Sequence, residues 1–198
     1  REDELAEIFQ RTQGKLLAMK VVSKDILHKS DAGGVKLNLV GDAALRDAFQ
    51  AIHLNAQAYD PNAQIEGVLV TPMAEKGVEV IIGMLRDPIF GPVLMFGLGG
   101  IFVEVLEDVA FRSLPLTLRD AQSMVDQLKA QKVLAGVRGA EGVDKQALVS
   151  LLMQVSQLVE SYPEISELDL NPVIAYPEGY SAANYAIVDA RIIVERQS

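Results

Sequence analysis

Cysteine and tryptophan are absent from this chain, and histidine occurs only twice. Without cysteine there is no disulfide framework, no zinc–thiolate site and no thiol nucleophile, a composition that fits a cytoplasmic protein. Long apolar runs are missing as well. "GVLV", "VIIGML" and "PVLMFGLGGIFV" are cut short by Gly or Pro and fall below the roughly 20 apolar residues of a spanning helix, so no membrane segment is expected. The N-terminal "REDELAEIFQRTQ" is acidic and polar, unlike the basic and then apolar layout of a secretory signal. Positive charge is also scarce. Lys and Arg number 18 against 27 Asp and Glu, a net charge of −9, which argues against a nucleic-acid surface because such binding needs clustered cations to neutralise phosphates.

What is present suits one large or two small globular units: 49% of the 198 residues are hydrophobic and 23% charged. Residues 3 to 13 read as a helix and "KLLAMKVV" as a buried strand. "VKLNLV" alternates with period two, Val35, Leu37 and Leu39 against Lys36 and Asn38, and so reads as a strand. Asp42 is placed to cap a helix over 43–59, which Asp60-Pro61-Asn62 ends. The strands "EGVLVT", "VEVIIGML", "PVLMFG" and "IFVEVL" follow, with close turns that suggest antiparallel meanders. "TLRD" at 117–120 has capping-box form and opens a helix to about Lys132. Asp144 caps another to about Ser161, whose Leu148, Leu151, Leu152, Val155 and Val159 form a core-facing stripe. Two strands, "LDLNPVIA" and "YAIVDARIIV", close the chain. Helices on a mixed, mostly antiparallel sheet indicate an α+β architecture in two lobes, 1–75 and 76–198.

Five of the nine lysines, Lys15, Lys20, Lys24, Lys29 and Lys36, lie between residues 15 and 36, with His28 among them. A basic loop on an acidic protein suggests a small anionic ligand, the alternative being a solubilised surface turn. Gly33 and Gly34, lacking Cβ atoms, would leave consecutive backbone N–H groups open to a phosphate. The loop lacks the spacing of a P-loop and leads into a strand rather than a helix, which does not indicate a Walker-type nucleotidase. "GLGG" at 97–100 likewise fails the dinucleotide pattern and reads as a glycine turn or a ligand contact. His53 reads as an ordinary helix residue. His28 could accept a phosphoryl group as neutral imidazole, or be a plain loop histidine.

If the loop 176–184 closes symmetrically, an antiparallel register puts Asn171 opposite Asp189 and Asp169 opposite Arg191. Oxygens of Asn171 and Asp189 could then share a hard cation such as Mg²⁺, or form a polar pair facing water.

Taken together, "AMKVVSKDILHKSDAGGVKLNL", "EGVLVTPMAEKGVEVIIGMLRDPIFGPVLMFGLGGIFVEVLEDVAFRSLPLT" and "PEISELDLNPVIA" resemble, in order and over nearly the whole chain, the ATP-grasp region of the ADP-forming acyl-CoA synthetases, which are related to succinyl-CoA synthetase. The resemblance implies an ATP-grasp fold with ATP/ADP and Mg²⁺ as cofactors, and with the N-terminal part of the first lobe lacking. It implies that Lys20 contacts the nucleotide phosphates, that Gly33, Gly34 and Val35 form the phosphate loop, and that Val70, Thr71 and Met73 belong to a hinge reading the adenine. Glu79 would be the acidic residue on the nucleotide side, Asn171 and Asp189 the metal ligands, and His28 a relay between a phosphohistidine on another domain and ADP. Thr71 stands where succinyl-CoA synthetases tend to carry an acid. Arg112 would either face the site or make a structural ion pair. The implied partners are nucleotide and the CoA-binding and ligase domains of the same protein or of another subunit, in an oligomeric enzyme, with little activity in this segment alone. A second reading is a ligand-sensing module of a fused protein acetyltransferase.

Overall fold

The computed structural model describes residues 4–12, 14–26, 28–100, 108–136, 139 and 141–195. The chain divides into two compact units, Arg1–Met73 and Ala74–Ser198.

In the first unit, α1 (Leu5–Arg11) and α2 (Asp42–Tyr59) accompany β1 (Leu17–Ser23), β2 (Val35–Leu39) and β3 (Ile65–Pro72), whose sheet order is β2-β1-β3 with both pairings antiparallel. Along β1, Leu17, Met19 and Val21 pack with Leu45, Ala48, Ile52 and Ala56 of α2. The period of two therefore turns Ala18, Lys20 and Val22 to the other face. Two local expectations change. Gly41, at φ +89°, is the residue before α2, and Asp42 is instead its first residue, accepting a bond from Arg46 Nε at 2.8 Å. The even alternation of β2 is broken because Met19 pairs with Lys36 while Leu17 pairs with Leu39, so Leu37 and Asn38 together oppose one residue of β1. Asn38 takes a left-handed φ of +58°, and Leu37 is left exposed.

The second unit is a six-stranded sheet of β4 (Val78–Asp87), β5 (Gly91–Leu98), β6 (Val109–Ser113), β7 (Ile165–Ala175), β8 (Tyr185–Ile187) and β9 (Ala190–Val194). The order is β6-β5-β4-β7, with β8 and β9 both on the far side of β7. Every pairing among the described residues is antiparallel, in keeping with the mostly antiparallel sheet expected. The expected strand "IFVEVL" falls in 101–107, outside the described residues, whereas β6 at "VAFRS" was not anticipated. Helices α3 (Leu118–Asp126), α4 (Gln131–Leu134) and α5 (Lys145–Ser161) complete the unit. Val80, Ile82, Met84, Leu94, Phe96, Leu168 and Leu170 of the sheet share one core with Ala121, Met124 and Val125 of α3 and the stripe of α5.

The helix opened by the Thr117–Asp120 capping box stops at Asp126 rather than near Lys132. A buried carboxylate explains the break. Asp108 accepts the N–H groups of Lys129 (2.6 Å) and Ala130 (2.8 Å), which a continuing helix would aim at carbonyls four residues back. The Val125 carbonyl takes the Gln131 side chain instead, at 2.6 Å.

Asp144 caps α5 through Oδ1, which accepts the N–H groups of Gln146 (2.9 Å) and Ala147 (3.0 Å), while Oδ2 accepts Asn184 Nδ2 at 2.8 Å. Such a cap contributes about 1 kcal/mol, against about 2–5 kcal/mol for truncating one buried leucine of the stripe, so packing holds the helix and the cap sets its start. The Asn184 bond, with the backbone bonds at α5, holds the Asp144 carboxyl below its ordinary value. Its stabilisation is therefore present above the unfolded-state pKa and is lost as pH falls through the folded one. Asp144→Asn should lower the urea midpoint near neutral pH, and its deficit against the parent protein should shrink steadily on acidification; a deficit independent of pH would contradict the assignment.

Candidate functional site

Lys20 sits in the central strand of the first unit, between Val35 of β2 and Leu69 of β3, and is only 8% exposed. It faces away from the helices together with Ala18 and its partner Thr71. Burial of a lysine in a sheet centre is costly unless its ammonium is engaged. Val70, by contrast, packs against the core, so any reading of a ligand there falls to its backbone. Met73 is tied down twice: its N–H donates to the Leu16 carbonyl at 2.9 Å, and its sulfur accepts the Asn38 N–H at 3.1 Å. Among the described residues β3 forms one edge of its sheet.

The turn 28–34 joins β1 to β2 and is closed by its own backbone. Ala32 N–H donates to the His28 carbonyl (3.2 Å), Gly33 N–H to Ser30 (3.0 Å) and Gly34 N–H to Lys29 (2.8 Å). The two glycine N–H groups are thus spent inside the turn, and the open cradle expected of them is not what the glycines provide. They provide close approach. A Cβ on Gly34 would lie 2.5 Å from Val21 Cγ1, and one on Gly33, at φ +61°, 2.7 Å from Asn55 Nδ2. Val21 N–H also donates to the Gly34 carbonyl at 2.8 Å, so the turn is pressed onto the strand next to Lys20. His28 opens the turn with an exposed side chain. His53, as expected, is structural: Nδ1 lies 2.9 Å from the Phe49 carbonyl, and the rings meet at 4.2 Å.

In the second unit Glu79 lies near the start of β4 on the face away from the helices. Gly99 N–H donates to its carbonyl at 2.7 Å, and a Cβ on Gly99 would come within 2.9 Å of the Glu79 Cβ. The glycine turn therefore roofs Glu79, beside a cavity of about 290 Å³ that Gly77 and Gly100 also line. Arg112 points to the helix side, donating to Ser123 Oγ (3.0 Å), Gln127 Oε1 (2.8 Å) and the Phe111 carbonyl (2.7 Å). It straps β6 to α3 and takes no part in the open face.

The terminal strands run in the expected register. Asp169 opposes Arg191 and Leu170 opposes Ala190, and one step further Asn171 N–H donates to the Asp189 carbonyl at 3.1 Å. Val173 then opposes Ile187, so β8 and β9 continue one register across Val188 and Asp189. Against β4, however, Val80 opposes Val173 and Ile82 opposes Leu170, which leaves Asn171 and Pro172 together facing Ile81. This bulge lets Leu168, Leu170, Val173 and Ala175 all point to the core while Asn171 is turned outward. The signal was in the sequence, since the apolar positions pass from even (168, 170) to odd (173, 175) at Asn171–Pro172.

Asn171 and Asp189 thus offer amide and carboxylate oxygens from adjacent backbone positions. Asp189 Oδ1 lies 3.2 Å from the Ala190 N–H, and Asp169 stands one pleat away on the same face. Hard oxygens of this kind suit Mg²⁺. Among the described residues no cluster of three His, Cys, Asp or Glu could hold a metal, so an ion here would draw its remaining ligands from water or phosphate. Beyond Asp169 the face opens into a second cavity of about 510 Å³ lined by Gly83, Met95, Phe90 and Phe111.

The model of the ATP-grasp domain family matches residues 1–194. The chain belongs to the ATP-grasp family. The beta subunit of acetate–CoA ligase (ADP-forming) I from Pyrococcus furiosus is 47% identical over 194 residues, 98% of this chain and 82% of that subunit. A dinucleotide-forming acetyl-coenzyme A synthetase 1 of Ca. Korarchaeum cryptofilum, solved with coenzyme A, Ca-AMPCP and HgCl⁺, superposes with a TM-score of 0.89 at 47% identity, covering 98% of this chain and 82% of that one. The same enzyme with coenzyme A and Mg-AMPPCP, its phosphohistidine segment pointing towards the nucleotide-binding site, gives a TM-score of 0.77 at 44% identity, covering 98% and 83%. The ATP-grasp fold is α+β, and these relatives are ADP-forming ligases and synthetases; the acetyltransferase-module reading gains no support from them. No helix among the described residues is long and apolar enough to cross a membrane.

The close approach of Gly34 to Val21 has a direct consequence. Gly34→Ala should destabilise the first unit by about 1–3 kcal/mol, the usual range for overpacking, visible as a lowered thermal midpoint. An unchanged midpoint would show that Val21 yields without strain.

Proposed function

We propose that this chain is the nucleotide-handling part of an ADP-forming acid–CoA ligase, which passes a phosphoryl group between a phosphohistidine on another segment and ADP. The observation that carries the reading is the opposed Asn171–Asp189 pair, where β7 faces the link between β8 and β9, in a chain whose relatives are ligases of this kind. Lys20, buried in its sheet, supplies positive charge to the nucleotide phosphates, and the backbone of Val70 to Met73 along the β3 edge receives the base. Glu79, under the Gly99–Gly100 turn, belongs to the nucleotide side in its own unit. Asn171 and Asp189 would hold Mg²⁺ through their oxygens, and the ion would supply charge compensation to the phosphates.

His28 is the relay. Its neutral imidazole donates a ring-nitrogen lone pair to the incoming phosphorus as the phosphorus–nitrogen bond to the donor histidine breaks, and the donor leaves as imidazole. In the second step an oxygen of the ADP β-phosphate attacks the same phosphorus, the bond to His28 breaks, and ATP is formed. Both steps conserve charge and need no separate base, because the attacking nitrogen carries no proton. In-line transfers of this kind depend on positioning and charge stabilisation more than on covalent help from the protein. The acid, CoA and donor histidine are contributed by further domains or a partner subunit, in an oligomeric enzyme. Cytoplasmic placement follows from the same assignment.

In the ligase assembled with these domains, His28→Ala is expected to lower ATP formation from acyl-CoA, phosphate and ADP by roughly 10⁴-fold, the scale on which removing a covalent group acts. Lys20→Ala should weaken nucleotide binding about ten- to hundredfold, the loss of one charge-assisted hydrogen bond. Full activity in the His28 variant would remove the relay while leaving the nucleotide site in place. Unchanged affinity in the Lys20 variant would remove the site.

A further inference from the structure

The 28–34 turn holds its own shape, but shape is distinct from placement. Its internal bonds run from residue to residue within the turn and do not fix it against the lobe. Three features do. Ile26 and Ala32 are buried in the core, Val21 N–H holds the Gly34 carbonyl, and Asn55 Nδ2 donates to the Gly33 carbonyl at 3.1 Å from the body of α2. The last of these spans 22 residues and comes from a rigid support, since Ile52 and Ala56, on the same side of α2, are wholly buried. The fit is specific to these two residues. Gly33 adopts φ +61°, and the Asn55 amide fills the space where a Cβ would stand, with Nδ2, Cγ and Cβ at 2.7, 3.1 and 3.2 Å from it. An apolar side chain of the same size would occupy that space and leave the Gly33 carbonyl without its donor.

We propose that Asn55 is a positioning residue for phosphoryl transfer through His28, holding the turn in register with the Lys20 strand by its amide bond to Gly33; the inference rests on the relay reading above. Asn55 touches no reacting atom. Its contribution is to keep the His28 ring where the donor phosphorus and the nucleotide can both reach it, and release of the turn converts one placement into several. A displacement of about 1 Å at a transferring group costs on the order of 10²-fold in rate.

The test uses the assembled ligase, with Asn55→Leu (shape kept, donor lost) and Asn55→Asp (shape kept, donor replaced by an acceptor) beside His28→Ala. Steady-state ATP synthesis gives kcat and nucleotide KM, and labelled enzyme separated after an alkaline quench, which preserves the acid-labile phosphorus–nitrogen bond of a phosphohistidine, gives the rate of phosphoryl transfer from γ-labelled ATP. Both Asn55 variants are expected to slow transfer about 10- to 100-fold with nucleotide KM within about twofold of the parent and with folded protein retained. Parent-like transfer rates in the Asn55 variants alongside an inactive His28→Ala would overturn the positioning role and leave the relay standing. A fully active His28→Ala would overturn the relay, and the Asn55 role with it. Equal losses in kcat, KM and thermal stability in both Asn55 variants would make the residue a general part of the lobe and overturn the inference.

Discussion

The ladder between β7 and the β8–β9 segment is the constraint on which the placement of the larger unit's candidate groups depends. It brings Asn171 and Asp189, 18 positions apart in the chain, to opposed backbone sites joined by a 3.1 Å hydrogen bond. What sets that ladder is burial. The Arg191–Glu167 ion pair across the strands is half-exposed at 3.7 Å and contributes less than about 1 kcal/mol. Leu168, Leu170 and Val173 each contribute about 1.5–3 kcal/mol on the core side, and a slip by one residue would turn all of them to solvent. The polar face is therefore held by the apolar one. The Asn171–Pro172 bulge is the adjustment that lets both faces be satisfied along a single strand.

Helices cover one face of each sheet, and the candidate groups collect on the other. In β1 the partition is visible residue by residue: Leu17, Met19 and Val21 go to α2, and Ala18 and Lys20 go to the opposite face, where both are buried as well. In β4 the same rule sends Val80, Ile82 and Met84 to the core and leaves Glu79 outside. Glycine then does different work at each site. At Gly33 and Gly34 it allows a turn to lie against Asn55 and Val21, and at Gly99 it allows a turn to lie on Glu79. In each case a Cβ would stand within 2.9 Å of a neighbouring side-chain atom and push the turn away.

Much of this was legible before any coordinates. The stripe of α5, the Thr117 capping box, the Asp144 cap and the register of the last two strands follow from periodicity and local hydrogen-bonding chemistry, which act over short distances in sequence. The misses share a physical cause. Asp108 ends α3 from a different segment, Asn38 absorbs an extra residue opposite β1, and Asn55 reaches Gly33 from 22 positions away; each is a tertiary contact overriding a good local pattern. The sequence suggests open N–H groups at Gly33 and Gly34, whereas in the structure those N–H groups bond within the turn and the glycines permit tight packing. The bulge at Asn171 is the exception, because the shift of apolar residues from even to odd positions announced it.

The Asn171–Asp189 face is proposed to receive a metal–nucleotide complex. Calorimetric titration of ADP into the assembled protein, with and without Mg²⁺, tests it most directly when the Asn171→Ala, Asp189→Ala double variant is measured in parallel. The account predicts binding that strengthens with Mg²⁺ in the parent protein and a loss of that Mg²⁺ dependence in the double variant. Equal binding by both proteins, with the same response to Mg²⁺, would contradict it.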